Sequence, residues 1–319
     1  MSTPKPRALF FGTPEFAVPC LSALAELCDV QLVISQPDRP AGRGMKLTPP
    51  HVKLRAQELG LSVIQPVKVR TPEFAAQLRA AQADLALVVA YGRILPVAVL
   101  QAARLGSLNV HASILPKYRG AAPIQWAIVR GETETGVCLM QMDEGLDTGP
   151  VLACARLAIG PDETSAELAP RLSQLGAELV RRELPRFCAG ELVAHAQAHA
   201  DATLAPILKK EDGALDFEQS AAAIHDRVRG LSPWPGAYAL VGAERVKVHK
   251  TRVIDASTPA GGEPGELLRV SGDGLVVACG SGSIALCELQ FEGGKRLDAA
   301  AVIAGRRLPP GTRFAKPEA

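Results

Sequence analysis

Residues 85–111, LALVVAYGRILPVAVLQAARLGSLNVH, decide how this chain is read. Leu85–Ala90 is an unbroken apolar run, the pattern of a strand buried on both faces. Val97–Ala103 follows with helical spacing, and Ser107–His111 is a second strand-like run. Strand, helix and strand in succession predict a parallel pair joined by a crossover helix. The last strand ends on an amide, Asn109, and an imidazole, His111. Two residues apart, they fall on the same side of the strand end.

The same alternation extends outward from this unit. Ala8–Phe11 precedes a helical Phe16–Leu27, Val30–Ile34 precedes Val52–Leu59, and Leu61–Ile64 precedes Phe74–Ala80. Gly131–Met142 and Pro150–Ala158 read as further strands, and Ser165–Phe187 as a long closing helix. Residues 1–189 are therefore expected to form an α/β domain with a Rossmann-like, mostly parallel sheet. Ligands of such sheets bind outside the carboxyl ends of the strands, where Asn109 and His111 fall. The turn Gly12-Thr13-Pro14 carries one glycine where a dinucleotide fingerprint needs three, and Pro14 removes a donor, so a tight turn is expected there rather than NAD binding. Residues 190–206, Ala-rich and without periodicity, read as a linker. Residues 207–319 change character: a helix at Ala221–Arg229 is followed by short alternating runs at Arg245–His249, Glu266–Val270, Gly274–Cys279 and Ser283–Glu288. Gly-rich turns separate them, which predicts a small β-barrel domain.

A carboxylate joins the amide and the imidazole from a second segment, Asp147 in Asp143-Glu144-Gly145-Leu146-Asp147-Thr148-Gly149. A donor, a titratable base and an acid to orient it suit transfer of an acyl group to an amine. No Ser or Cys nucleophile is needed when the attacking group belongs to the substrate. Each residue also has a plain structural reading: Asn109 satisfying a strand end, His111 interior, Asp147 capping a turn. Taken singly, the plain reading is the stronger for each.

NVHASILPKYRGAAPIQ at 109–125 and MDEGLDTGPVL at 142–152 resemble the folate-dependent formyltransferases, which share Asn, His and Asp in this arrangement. GTPEFAVPCL at 12–21, QPDRPAGRGMKL at 36–47 and LSPWPGAYA at 231–239 are similar to the branch of that family that formylates charged initiator tRNA. The similarity runs from about Leu9 to Phe314 and implies an OB-like C-terminal barrel. It further implies transfer of a formyl group from 10-formyltetrahydrofolate, as co-substrate, to the α-amine of methionine on initiator tRNA, with Asn109, His111 and Asp147 catalytic and no metal. Asn109 and a protonated His111 would donate to the developing oxyanion, each such donor contributing ~2.7–4 kcal/mol. Asp147 would orient the imidazole and pass protons. Ser113, Ile114, Leu115 and Pro116 match the family's folate-contacting loop, although Ile114 stands where leucine is commoner. The implied alternatives are a 10-formyltetrahydrofolate hydrolase, with water as acceptor, or a formyltransferase acting on another amine, such as glycinamide ribonucleotide or a nucleotide sugar. From another class, a catalytically silent RNA-binding protein on this scaffold is opposed by the intact triad.

The net charge of +2 does not itself argue for nucleic acid. Locally, Arg39, Arg43, Lys46, Lys53 and Arg55 lie together, as do Arg245, Lys247, Lys250 and Arg252, and Lys295, Arg296, Arg306, Arg307, Arg313 and Lys316. Charge runs are ordinarily solvated faces; the resemblance reverses that reading. It implies that the Gly/Pro-rich segment 36–50 enters the tRNA acceptor arm, with Arg39, Arg43 and Lys46 in contact, and that Lys295, Arg296, Arg306 and Arg307 track phosphates. The seven cysteines, odd in number and without a CxxC pair, are expected to be reduced and buried. Six histidines show no metal-binding spacing. The longest apolar runs are far shorter than a membrane span, and the N-terminus has no signal-peptide pattern, so a cytoplasmic protein without membrane or obligate protein partner is expected.

Overall fold

A computed structural model describes residues 4–41, 46–257, 261–272, 274–305 and 308–317. By contact density the chain divides into two units. The first comprises residues 1–123, 134–158 and 169–206, and the second 124–133, 159–168 and 207–319.

The first unit opens with β1 (Arg7–Gly12), α1 (Val18–Leu27), β2 (Asp29–Ile34), β3 (Arg39–Ala41) and β4 (Lys46–Thr48). It continues through α2 (His51–Glu58), β5 (Val63–Ile64), α3 (Pro72–Ala80), β6 (Leu85–Val89), α4 (Val97–Leu100), β7 (Ser107–His111) and β8 (Arg119–Gly120). Then come β9 (Glu134–Gln141), β10 (Val151–Ala158), α6 (Ser165–Cys188, its first four residues counted with the second unit) and β11 (Leu204–Ala205), while α5 (Pro123–Val129), between β8 and β9, belongs but for Pro123 to the second unit. Seven strands form one sheet in the order β10-β9-β7-β6-β1-β2-β5, in which β9 alone runs against the others. Every residue of β6 and β7 is buried, as the continuous apolar runs require of central parallel strands. Local chemistry starts the helices. Thr71 caps α3, its Oγ1 accepting from the Phe74 N–H at 3.2 Å, with Pro72 preset for the first turn. The chain winds from β1 to β2 and β5, then returns to β6 on the other side of β1, so strand order reverses between β1 and β6. β7 ends one strand beyond that point.

Residues 190–206, read from sequence as a linker, are not a tether. β11 pairs in parallel with β8, and His195 bridges to Val151 at the start of β10. The backbone polar groups of an Ala-rich stretch found partners that periodicity does not reveal. The Gly/Pro-rich segment 36–50 contains the short β3–β4 hairpin, with Arg39 opposite Thr48 and Ala41 opposite Lys46. Against the expectation from sequence, the cysteines are not all reduced. Cys138 and Cys154 face each other across β9 and β10 and form a disulfide. Sequence separation of 16 concealed the pair, because cross-strand register decides it. Cys20, Cys28, Cys188, Cys279 and Cys287 are not joined in disulfides.

The second unit contains α7 (Ala221–Gly230), β12 (Ala237–Val241), β13 (Glu244–Asp255), β14 (Leu267–Ser271) and β15 (Gly274–Ala278). After these come β16 (Ser283–Phe291), β17 (Leu297–Asp298), α8 (Ala299–Gly305) and β18 (Phe314–Ala315). The strands are antiparallel in the order β14-β15-β16-β13-β12-β18. Bonds from Leu267 N to Thr312 O and from Phe314 N to Gly265 O join the two ends, closing the sheet on itself. Phe217, Val246, Val248, Leu275, Ile284, Leu286, Phe291 and Phe314 fill the interior. β12 was absent from the sequence reading, since Ala237–Val241 abuts the turn at 231–236.

Candidate active site

Asn109 and His111 project from the end of β7, where they are 9% and 5% exposed. Both arrive there because β7 lies between β6 and β9, with Asn109 opposite Met140 and His111 opposite Cys138. Asp147 comes from the turn after β9. Its Oδ1 accepts from Asn109 Nδ2 at 3.4 Å, and its Oδ2 lies 3.6 Å from His111 Nδ1. One carboxylate therefore addresses both the amide and the imidazole. The second distance is close for an ion pair and long for a hydrogen bond.

The other ring nitrogen is also occupied. His111 Nε2 donates to the Tyr118 carbonyl at 2.9 Å; a carbonyl only accepts, so Nε2 carries the hydrogen. Asp147 Oδ2 further accepts from the Gly120 N–H at 2.9 Å. Gly120 has φ 126°, and a Cβ there would sit 2.6 Å from the Ala205 carbonyl oxygen. Only glycine lets β8 approach β11 and still aim its N–H at the carboxylate. Sequence spacing brought Asn109 and His111 together; the contacts of Asp147, Tyr118 and Gly120 required the fold.

The Ser113–Pro116 segment follows β7. Ser113 is buried, and its Oγ donates to the Lys117 carbonyl at 2.6 Å, which engages the only hydroxyl on this loop. Leu115, 7% exposed, packs with Cys138 and Met140, while Ile114 and Val151 border that cluster. Ile114 and Pro116 remain partly exposed at the loop surface.

The basic residues fall on several elements. Arg39 donates to Gln36 Oε1 at 2.8 Å, and Lys46 stands exposed on β4. Arg43 lies outside the described residues, as do Arg306 and Arg307. At the root of the hairpin, Asp38 accepts from Lys53 at 2.8 and 2.9 Å and from Gln65 at 2.7 Å. Lys53 first, then Gln65, holds the Asp38 carboxyl below its usual range. In the barrel unit, Lys295 is exposed between β16 and β17, and Arg296 beside it is paired with Glu288. Arg245 and Lys247 point outward along β13 while Val246 and Val248 point inward. Arg245 lies 3.5 Å above the Tyr238 ring, in cation–π geometry. Alternation in the sequence was the signal for that outward pair.

Among the described residues, no group of three or more His, Cys, Asp or Glu side chains is placed to hold a metal ion. No helix among them is long and apolar enough to cross a membrane.

A sequence model described as formyl transferase matches residues 7–184, and one described as formyl transferase, C-terminal domain, matches residues 207–307. The chain is 56% identical over 305 residues to a methionyl-tRNA formyltransferase of Sorangium cellulosum (strain So ce56), covering 96% of this chain and 98% of that one. It is 50% identical over 309 residues to that of Myxococcus xanthus (strain DK1622), covering 97% and 98%. Among solved structures, the fold matches an N-formyltransferase from Helicobacter canadensis, in complex with folinic acid and dTDP-3-aminofucose, with TM-score 0.65 at 18% identity. That match covers 88% of this chain and 98% of the other. HypX from Aquifex aeolicus in complex with tetrahydrofolic acid matches with TM-score 0.60 at 19% identity, over 94% of this chain and 47% of its own length.

Proposed function

The chain belongs to the methionyl-tRNA formyltransferases of the formyl transferase family, and from that premise we infer how its site works. The enzyme moves a formyl group from a folate carrier to methionine carried on initiator tRNA. We propose 10-formyltetrahydrofolate as the carrier, the cytoplasm as the compartment and Asn109, His111 and Asp147 as the catalytic residues. The observation that carries the assignment is the single Asp147 carboxylate within 3.4 Å of the Asn109 amide and 3.6 Å of the His111 ring.

The attacking α-amine must be the free base; such amines titrate near ~7.7–8.0 in peptides, and the ester carbonyl lowers that further. Its nitrogen bonds to the formyl carbon and the carbonyl electrons move onto oxygen. The Asn109 amide donates to that oxygen, and one donor of this kind is worth ~2.7–4 kcal/mol in the transition state. Asp147 keeps His111 oriented and receives, through water, the proton released by the amine. The bond from carbon to N10 breaks as the proton reaches N10, leaving tetrahydrofolate and formylmethionyl-tRNA. Because the nucleophile is the substrate's own nitrogen, the engaged Ser113 hydroxyl has no chemical part.

Ser113, Ile114, Leu115 and Pro116 are proposed to hold the folate. The loop offers its backbone and the partly exposed Ile114 and Pro116, while Leu115 shapes the wall from behind. Arg39, Arg43 and Lys46 are proposed to meet the acceptor arm, and Lys295, Arg296, Arg306 and Arg307 to meet phosphates. Incubation with 10-formyltetrahydrofolate and charged initiator tRNA should yield formylmethionine in step with tetrahydrofolate. Release of free formate at the same rate with or without tRNA would instead identify a hydrolase.

A further inference from the structure

Asp147 has φ 51°, in the left-handed region, although it is not glycine. A residue in that conformation persists where its surroundings hold it. The holding group comes from the stretch that sequence read as a linker. Gln197 Nε2 donates to the Asp147 carbonyl at 2.9 Å and to the Gly149 carbonyl at 2.7 Å. Its Oε1 accepts from Arg119 Nε at 3.0 Å and Nη2 at 2.7 Å. Arg119 Nη1 lies 3.2 Å from His199 Nδ1, and both Arg119 and Gln197 are buried.

Every polar atom of the Gln197 amide is used, and in one sense only. A flipped amide would aim its NH2 at the guanidinium and its oxygen at two carbonyl oxygens. Arg119 thus sets which way Gln197 faces, and Gln197 ties down the backbone on both sides of Thr148. The next residue, Gly120, grips the Asp147 carboxylate directly.

We propose that Gln197, oriented by Arg119, is a positioning residue for formyl transfer: it holds the Asp147–Gly149 turn so that one carboxylate serves both Asn109 and His111. This rests on the reading of Asp147 as catalytic. Gln197 touches no reacting atom, so its effect falls on kcat rather than on substrate binding.

Gln197→Glu separates this role from simple packing. The variant keeps the size of the side chain and its bond to Arg119, but it turns carboxylate oxygen toward two carbonyls. The expected result is a loss of roughly tenfold or more in kcat, since small misplacements at a site are costly. KM for folate and for tRNA should stay within about twofold, and the pH profile of kcat should move as the Asp147–His111 separation changes. In an Asp147→Asn background, adding Gln197→Glu should remove no further activity. A Gln197→Glu enzyme with unchanged kcat and pH profile overturns the proposal, as does a parallel loss of folate affinity. Full activity in Asp147→Asn alone would instead overturn the catalytic reading beneath it. If Gln197→Glu does not fold, Arg119→Lys decides: a single ammonium in place of the guanidinium fork should show the same split between kcat and KM, and unchanged kcat there counts against the proposal.

Discussion

Asn109, His111 and Asp147 meet around one carboxylate, so their substitutions should not add. With Asn109 in its proposed role as oxyanion donor, replacing it by Ala should lower kcat by roughly 10²–10³. His111→Ala and Asp147→Ala should each fall in the roughly 10²–10⁴ range of lost proton handling. The triple variant should be little worse than the weakest single one, because the residues act as a unit. Steady-state kinetics with tRNA affinity measured separately checks this, and a His111→Ala enzyme with near-normal kcat would remove His111 from the mechanism. Burial pushes Cys20, Cys28 and Cys279 up to about 12, so they should resist alkylation in the folded enzyme at neutral pH. After denaturation without reductant, mass spectrometry should count five alkylated cysteines, rising to seven with reductant, because Cys138 and Cys154 are joined. Seven without reductant would show that the pair is a dithiol in the isolated protein.

Among the elements, the β3–β4 hairpin is anchored by the Asp38–Lys53–Gln65 tie at its root rather than by a core. Asp38→Ala should raise KM for charged tRNA by about two- to fivefold, the modest effect of a partly exposed pair, and leave folate affinity unchanged. The sign with pH follows from the lowered Asp38 carboxyl. Its ordinary value is near ~3.9, so the tie contributes fully above that and is lost as pH falls through the lowered folded value. The Asp38 carboxyl resonance should therefore titrate below that of an unpaired aspartate, and Lys53→Ala should move the midpoint up. An equal loss of folate binding in Asp38→Ala would mean that the hairpin belongs to the folate site.

At the scale of the whole molecule, the charges of the barrel unit should set the salt dependence of tRNA binding. Lys295 has its charge exposed, whereas that of Arg296 is shared with Glu288. Lys295→Ala should reduce the log–log slope by about one unit, and Arg296→Ala by less. A slope unchanged in the double variant would mean that these charges only keep the barrel soluble. The course of residues 190–206 leads to a further expectation. A fragment ending at Ala189 lacks β11, Gln197 and Thr203, and so leaves buried Arg119 without its amide partner. Unsatisfied buried groups cost ~1–3 kcal/mol each. It should melt at least ~5 °C below a fragment ending at Pro206, as a loss of that size implies for a domain of this length. Equal melting temperatures would make 190–206 dispensable to the first unit.

Periodicity is local, and what depends on it was legible in the chain: buried β6 and β7, the helices between the strands, and the short-strand character beyond residue 207. The Asn109–His111 pair was legible for the same reason, since a two-residue spacing fixes a side of a strand. Contacts between distant segments left no such mark. The Cys138–Cys154 bond follows from cross-strand register, β11 from pairing with a two-residue strand far earlier in the chain, and the Gln197 clamp from a polar side chain in an Ala-rich stretch. The amino-acid sequence alone determined the two fold classes and set Asn109 and His111 on one side of a strand end, because alternation of apolar residues and the spacing of an amide and an imidazole act over a few residues. Only the tertiary structure decided how Asp147 is held against them, because a buried hydrogen bond is set by which distant donors and acceptors the packed sheet brings within about 3 Å.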